Sequence, residues 1–329
     1  MSSKPIVVVT RLLPTLAQER LESLSDQLTI RQHRSTKPMD RADLLRQAKG
    51  AHALVVLLAD RIDEELLDAA GPQLRIVSTI SVGYDHVDTA ALRARGVKLG
   101  YTPDVLTDAT ADTTVLLALM ASRRAKSALL QLVTGRVAGG FSLSEGLGMQ
   151  FTGKTLGIVG LGRIGAATAH RLQAFGFARI LYTASQARPE RADSLGAEHA
   201  TFDELLQASD LVCICCPLSD RTRGMFDDRA FSLMKQGSIL INTARGAIVD
   251  QDALLRALDA GRLMHAGLDV TEPEPLPVDH PLLVHERTTI LPHIGSATED
   301  ARNAMSNLAV DNALAAIRGE QLKAEVRLD

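Results

Sequence analysis

"KTLGIVGLGRIGAATAHRLQAFG", residues 154–176, sets a short apolar run, a glycine turn and an amphipathic stretch in that order. The run reads as a buried strand, and the pattern after Gly162 has helical spacing. Between them stand Gly160, Gly162 and Gly165 in G-x-G-x-x-G order. That spacing alone is a weak signal. With a strand before it and a helix opening at it, it describes the phosphate-binding turn of a dinucleotide fold. Gly160 permits the tight turn, Gly162 lets backbone approach a pyrophosphate, and Gly165 lets helix and strand come close. The helix N-terminus then faces the anion. Arg163 and Ile164 lie in its first turn, where Arg163 can add a charge to a phosphate.

The same rhythm extends in both directions. Downstream, "ARILYT", "LVCICC", "SILINT", "MHAGLDV" and "TTIL" read as strands, and Thr201 with Glu204 has capping-box spacing at a helix start. Upstream, "PIVVVT", "LTIRQH", "ALVVLL", "LRIVSTI" and "VKLGYT" alternate with the helical patterns "LAQERLESL", "RADLLRQA", "EELLDAA" and "TAALRAR". Strands alternating with helices indicate βαβ units and parallel sheets. Their continuous apolar runs suit sheets covered on both faces. The expected class is α/β, with two Rossmann-like or flavodoxin-like parallel-sheet domains. Between the two series, "TPDVLTDATADTTVLLALMASRRAKSALLQLVTGR" reads as one long helix after Pro103, followed by a Gly-rich loop. A long helical pattern, "ATEDARNAMSNLAVDNALAAIRG", closes the chain.

Bulk properties exclude several classes. A chain of 329 residues with 46% apolar residues can bury two cores. A net charge of −3 provides no basic field for nucleic acid. No apolar run approaches a membrane span, and the N-terminus lacks a secretory pattern, so a soluble cytoplasmic protein is expected. Cys213, Cys215 and Cys216 crowd one apolar stretch; they read as buried strand residues in a reducing compartment, with no metal-ligand spacing.

An NAD site usually carries an acid about 20 residues past the glycines, for the ribose hydroxyls. Here "ILYTASQARPE" has none before Glu190. Ser185 can donate to a 2′-phosphate and Arg188 can pair with it, so NADPH is expected in preference to NADH.

Taken with "STISVGYDHVD", "GYTPDVLTDATAD", "INTARGAIVDQDAL", "AGLDVTEPEPLP" and "ILPHIGSAT", the fingerprint makes the chain resemble the D-isomer-specific 2-hydroxyacid dehydrogenases over nearly its whole length. Within that family it most resembles the members that reduce glyoxylate and hydroxypyruvate. The resemblance implies a catalytic arginine, glutamate and histidine: Arg245 in "NTARG", Glu274 in "DVTEPEP" and His293 in "PHIG". It further implies that backbone amides at Val82 and Gly83 bind the substrate carboxylate and that Leu58 walls the substrate. Asp269, Gly295 and the backbone of Thr243 would lie along the cofactor.

The implied chemistry is NAD(P)H-dependent reduction of a small 2-oxo acid, which needs a hydride at carbon and a proton at oxygen. An imidazolium supplies that proton near neutral pH, and a neighbouring carboxylate stabilises the imidazolium. An arginine fork suits a carboxylate and can polarise a ketone. The same resemblance implies a discontinuous substrate domain (residues 1–103 and 294–329), a dinucleotide domain (104–293), an interdomain active-site cleft, and a homodimer formed through the segment near 104–152. Two features depart from the family pattern. There is no tryptophan, and Val137 and Phe141 occupy the neighbourhood where relatives carry indoles toward the pocket. Asp112 stands where relatives usually have glutamate, with its effect expected on the dimer helix. Alternative readings are a dehydrogenase of another small acid, such as phosphoglycerate or phosphite, and a cofactor-sensing corepressor-like binding protein.

Overall fold

Alternating strands and helices run from Ile6 to Ile290 and form two separate sheets. The structure is a computed structural model that describes residues 4–136, 143–186 and 188–328. The chain divides into two compact units, 1–106 with 297–329 and 107–296.

The first unit contains β1 (Ile6–Val9), α1 (Thr15–Ser23), β2 (Thr29–Gln32), α2 (Arg41–Ala48), β3 (Ala53–Val56), α3 (Glu64–Ala70), β4 (Ile76–Thr79), α4 (Thr89–Ala94) and β5 (Lys98–Gly100). Strand order 2-1-3-4-5 is the flavodoxin-like arrangement, whose order reverses between β1 and β3. Both β3 and β4 are fully buried, as a sheet sandwiched between helices requires, and β3 is apolar on both faces.

The second unit opens with α5 (Thr107–Ser122) and α6 (Ala125–Val133). It continues through β6 (Thr155–Val159), α7 (Arg163–Gln173), β7 (Arg179–Thr183), α8 (Pro189–Leu195), β8 (Ala197–His199), α9 (Phe202–Ala208) and β9 (Leu211–Ile214). Then come α10 (Asp228–Leu233), β10 (Ser238–Asn242), α11 (Gln251–Asp259), β11 (Leu263–Leu268), α12 (Pro281–Val284) and β12 (Thr288–Ile290). The sheet order 12-11-10-9-6-7-8 reverses between β6 and β9, as in a dinucleotide-binding sheet with one added strand. The expected capping box at α9 is formed by Thr201 and Glu204.

The chain then returns to the first unit with α13 (Glu299–Arg318) and β13 (Glu325–Val326). Asn303 accepts from the Ala17 amide at 3.1 Å, and Ser78 Oγ donates to the Ala309 carbonyl at 2.9 Å. Asn312 bridges Tyr101 and Ala324 and so sets β13 beside β5. That pairing is antiparallel, one edge strand on an otherwise parallel sheet.

One expectation is corrected, that of a single long helix after Pro103. It is two helices, broken at Arg124, whose φ of 50° lies in the left-handed region. The Ser122 carbonyl is taken by the Met149 amide at 2.8 Å, so a tertiary contact ends α5. Only Gly148 allows that approach, since a Cβ there would sit 2.2 Å from the same oxygen. Among the described residues, no helix is long and apolar enough to cross a membrane.

Candidate active site

The fingerprint turn sits at the carboxyl end of β6, at the point where the second sheet reverses order. Gly160 has φ 100°, and a Cβ on it would meet the Cα of Cys216 at 2.7 Å. Gly165 is equally obligatory, because its Cβ would lie 2.1 Å from the Gly160 carbonyl oxygen. Around Gly162 there is open space, with no atom within 4 Å of a built Cβ. Gly162 is the N-cap of the eleven-residue α7, with Arg163, Ile164 and Gly165 in the first turn, whose amides lack intrahelical acceptors. A glycine wedge packed shut on one side and open on the other fits a dinucleotide pyrophosphate.

Cys216 was read from sequence as a buried strand residue, but β9 ends at Ile214 and only Cys213 lies within it. Cys215 and Cys216 instead flank the turn. Burial pushes their thiols up to about 12 and about 11, so neither is a nucleophile near neutral pH.

Ser185 and Arg188 follow β7 and are exposed, with Arg188 at the N-cap of α8. One helical turn further, Arg191 Nη1 donates to the Leu161 carbonyl at 3.4 Å, placing a second guanidinium at the fingerprint turn. Sequence reading passed over it because nothing in the one-dimensional pattern aims α8 back at residue 161.

Arg245 and its glycine follow β10. Asn242, buried, donates from Nδ2 to the Arg245 carbonyl at 2.8 Å and accepts from the Ala244 amide at 3.0 Å, so its amide side chain shapes the whole turn. Gly246 is required by contact: a Cβ would lie 2.0 Å from the carbonyl carbon of Thr271. Thr243 Oγ1 is 2.8 Å from Thr114 Oγ1 of α5, which holds its side chain away from the turn.

Asp269, His293 and Glu274 lie after β11 and β12. Asp269 is 1% exposed. Its carboxylate accepts the amides of Ile294 (2.8 Å) and Gly295 (2.7 Å), and its carbonyl accepts the His293 amide (2.9 Å). Burial pushes the Asp269 carboxyl above the usual carboxylate range, while those two amides and the His293 charge pull it back. These bonds hold His293 at φ 54°, a backbone region uncommon for a residue with a Cβ. His293 Nδ1 donates to Glu274 Oε1 at 2.5 Å. The loop bearing Glu274 is held by Gln251 of α11, which bonds both backbone polar groups of Glu272 at 2.5 and 2.9 Å. Among the described residues, His293 Nε2 has no partner. The pair therefore presents one imidazole nitrogen for proton exchange.

In the first unit, Leu58 is half-buried after β3, at the point where that sheet reverses. Asp60 fixes this loop by accepting from the Leu57 amide (2.8 Å) and Thr10 Oγ1 (2.5 Å). Val82 and Gly83 follow β4. Ser81 Oγ donates to the Gly83 carbonyl at 2.7 Å and is itself 2.7 Å from Thr79 Oγ1, so the loop is braced from within. Among the described residues, neither the Val82 nor the Gly83 amide has a protein acceptor. Such a pair suits an anion. Val137 and Phe141 lie outside the described residues. Asp112 pairs with Arg171 of α7 at 2.6 Å, an intrachain tie between α5 and α7.

The sequence of the second unit matches the family model for the D-isomer specific 2-hydroxyacid dehydrogenase NAD binding domain over residues 115–295. The chain is 44% identical over 325 residues to human glyoxylate reductase/hydroxypyruvate reductase, covering 98% of each. A solved NADPH-dependent glyoxylate/hydroxypyruvate reductase from Sinorhizobium meliloti, in complex with NADP and malonate, is 34% identical with a TM-score of 0.84, covering 99% of this chain and 98% of that one. D-Lactate dehydrogenase from Aquifex aeolicus, complexed with NAD and lactic acid, is 27% identical with a TM-score of 0.85, covering 96% of both chains. A fingerprint turn with no room for a Cβ at Gly160 or Gly165, and a match that runs the length of the chain, make it a member of the D-isomer-specific 2-hydroxyacid dehydrogenase family.

Proposed function

We propose that this chain reduces small 2-oxo acids, glyoxylate and hydroxypyruvate, to glycolate and D-glycerate, with NADPH preferred over NADH and His293 as the proton donor. The observation that carries the reading is the His293–Glu274 pair, 2.5 Å apart, on a backbone locked by Asp269. The names of the human and Sinorhizobium relatives support the substrate class.

When bound, the reduced nicotinamide supplies the hydride. Gly160, Gly162, Arg163, Ile164 and Gly165 hold the pyrophosphate, and Thr243, Asp269 and Gly295 flank the nicotinamide end. Ser185 and Arg188, with Arg191 beside them, meet the 2′-phosphate. The stretch between Thr183 and Pro189 has no carboxylate to repel it. Arg245 clamps the substrate carboxylate and polarises its ketone, the Val82 and Gly83 amides take a carboxylate oxygen, and Leu58 excludes water with an apolar wall. Protonated His293 gives its Nε2 proton to the developing alkoxide, and Glu274 stabilises the imidazolium until that moment.

A homodimer in the cytoplasm is part of the same reading. It is supported by Leu129, Leu130, Leu132 and Val133 of α6, all exposed, and by three cysteines without disulfides. The test is a matrix of initial rates: glyoxylate, hydroxypyruvate and pyruvate, each with NADPH and NADH. Turnover of the first two with NADPH is expected to exceed the rest. Activity on none of them would end the proposal, and pyruvate in first place would move the chain toward the lactate-type enzymes.

A further inference from the structure

The first sheet reverses order between β1 and β3, and open α/β sheets bind ligands outside the carboxyl ends of their strands at such a point. Leu58 follows β3 there, and Val82 with Gly83 follows β4. The turn after β1 carries Arg11, which has no role in the account so far.

Backbone bonds fix that turn on every side. The Thr10 amide donates to the Val55 carbonyl at 3.1 Å, and the Leu12 amide to the Ser35 carbonyl at 3.0 Å. The Arg11 carbonyl accepts from Gln32 Nε2 at 2.9 Å, and the Leu13 amide donates to Gln18 Oε1 at 3.2 Å. Asp60 takes both Thr10 Oγ1 and the Leu57 amide, so one carboxylate ties the turn bearing Arg11 to the loop bearing Leu58.

The side chain of Arg11 is treated differently. The residue is 7% exposed, and its buried Nη1 has no hydrogen-bond partner. Among the described residues, neither Arg11 nor Asp60 forms an ion pair. A guanidinium does not give up its proton, and a buried charge without a partner weakens the fold that holds it. An acceptor arriving from outside the chain satisfies such a group, and an oxygen-bearing one suits its planar fork. The ends of β1 and β4 stand on either side of β3, about 10 Å apart at two inter-strand spacings. A long side chain from β1 and a short carbon chain from β4 together span that gap.

We propose that Arg11 is a specificity-determining residue that takes the far end of the substrate, an oxygen carried beyond the ketone. The preferred substrates are then 2-oxo acids with a second acceptor group, a hydroxyl or a carboxylate. This rests on the functional reading above, in which the Val82 and Gly83 amides hold the first carboxylate. Glyoxylate offers Arg11 nothing, hydroxypyruvate offers a hydroxyl, and oxaloacetate offers a second carboxylate.

The experiment measures kcat and KM for the full chain and for Arg11→Met, with saturating NADPH, on glyoxylate, hydroxypyruvate and oxaloacetate. Methionine keeps an unbranched stem and removes the charge. The kcat/KM for hydroxypyruvate or oxaloacetate, relative to that for glyoxylate, should fall about tenfold or more in the variant, mainly through KM. A larger fall with oxaloacetate assigns a carboxylate to the site, and a larger fall with hydroxypyruvate assigns a hydroxyl. The thermal midpoint should not drop, because an unpaired buried charge has been removed. An unchanged ratio, or a lower midpoint with equal losses on all three acids, would overturn the proposal and leave the functional reading standing. Failure of the wild-type chain to reduce any of the three would remove both.

Discussion

His293 Nδ1 and Glu274 Oε1 meet at 2.5 Å across nineteen residues of sequence, each side chain only partly exposed. A carboxylate at that distance fixes the ring so that Nε2 is the nitrogen left for proton exchange. In Glu274→Gln the hydrogen bond survives through the amide oxygen while the charge is gone. Turnover with glyoxylate should fall by about tenfold or more, with the KM for NADPH nearly unchanged. Turnover equal to wild type would mean that Glu274 only orients His293.

The 2′-phosphate reading rests on guanidinium groups at the start of α8. Arg188→Ala should raise the KM for NADPH about tenfold or more, the worth of one charge-assisted hydrogen bond, and leave the KM for NADH nearly unchanged. Arg191→Ala should raise both, because Arg191 also braces the fingerprint turn through Leu161. An unaltered NADPH-to-NADH ratio in Arg188→Ala would remove the basis for cofactor preference.

His265 in β11 is fully buried, with Nε2 3.0 Å from Thr289 Oγ1 and Nδ1 without a partner. Burial, then the charges of Arg124, Lys126 and His285, lower its pKa from 6.5 to about 4. The unfolded chain therefore binds the extra proton first. Stability from this residue is complete above pH 6.5 and is lost as pH falls through 4. Over that window it amounts to roughly 3 kcal/mol. Urea unfolding at pH 7 and pH 4 should show that loss in wild type and a clearly smaller one in His265→Gln. Equal acid sensitivity in the two proteins would show that other groups govern it.

Gly246→Ala tests how tightly the Arg245 turn is joined to the loop that leads to Glu274. The added methyl collides with the Thr271 backbone, so one loop must move. A cost of about 1–3 kcal/mol in unfolding free energy is expected, together with a fall in kcat, since both loops carry proposed catalytic groups. Unchanged turnover would mean the turn relaxes without disturbing Arg245.

The features legible in the sequence were those with a local signature. Buried strands announced themselves as apolar runs, and Gly160 and Gly165 of the fingerprint and Gly246 of "NTARG" stand where a Cβ has no room. What escaped notice was short or set by tertiary contact. β8 and β13 have three and two residues, too few to show a period. The break at Arg124 contains neither glycine nor proline; it arises because residue 149 captures the Ser122 carbonyl. Asn242 and Gln251 are ordinary polar residues in sequence, and their grip on the Arg245 turn and the Glu272 backbone exists only once the strands are side by side. The left-handed backbone of His293 was equally invisible, since Asp269 imposes it from another strand.

The most direct test is His293→Asn, a substitution that the left-handed backbone tolerates better than alanine. Turnover with glyoxylate and the Kd for NADPH are measured side by side on the same preparation. The expected result is a fall in kcat of about a hundredfold or more, with NADPH affinity within about twofold of wild type. Equal loss of both would make His293 a structural residue, and undiminished turnover would place the proton donor elsewhere.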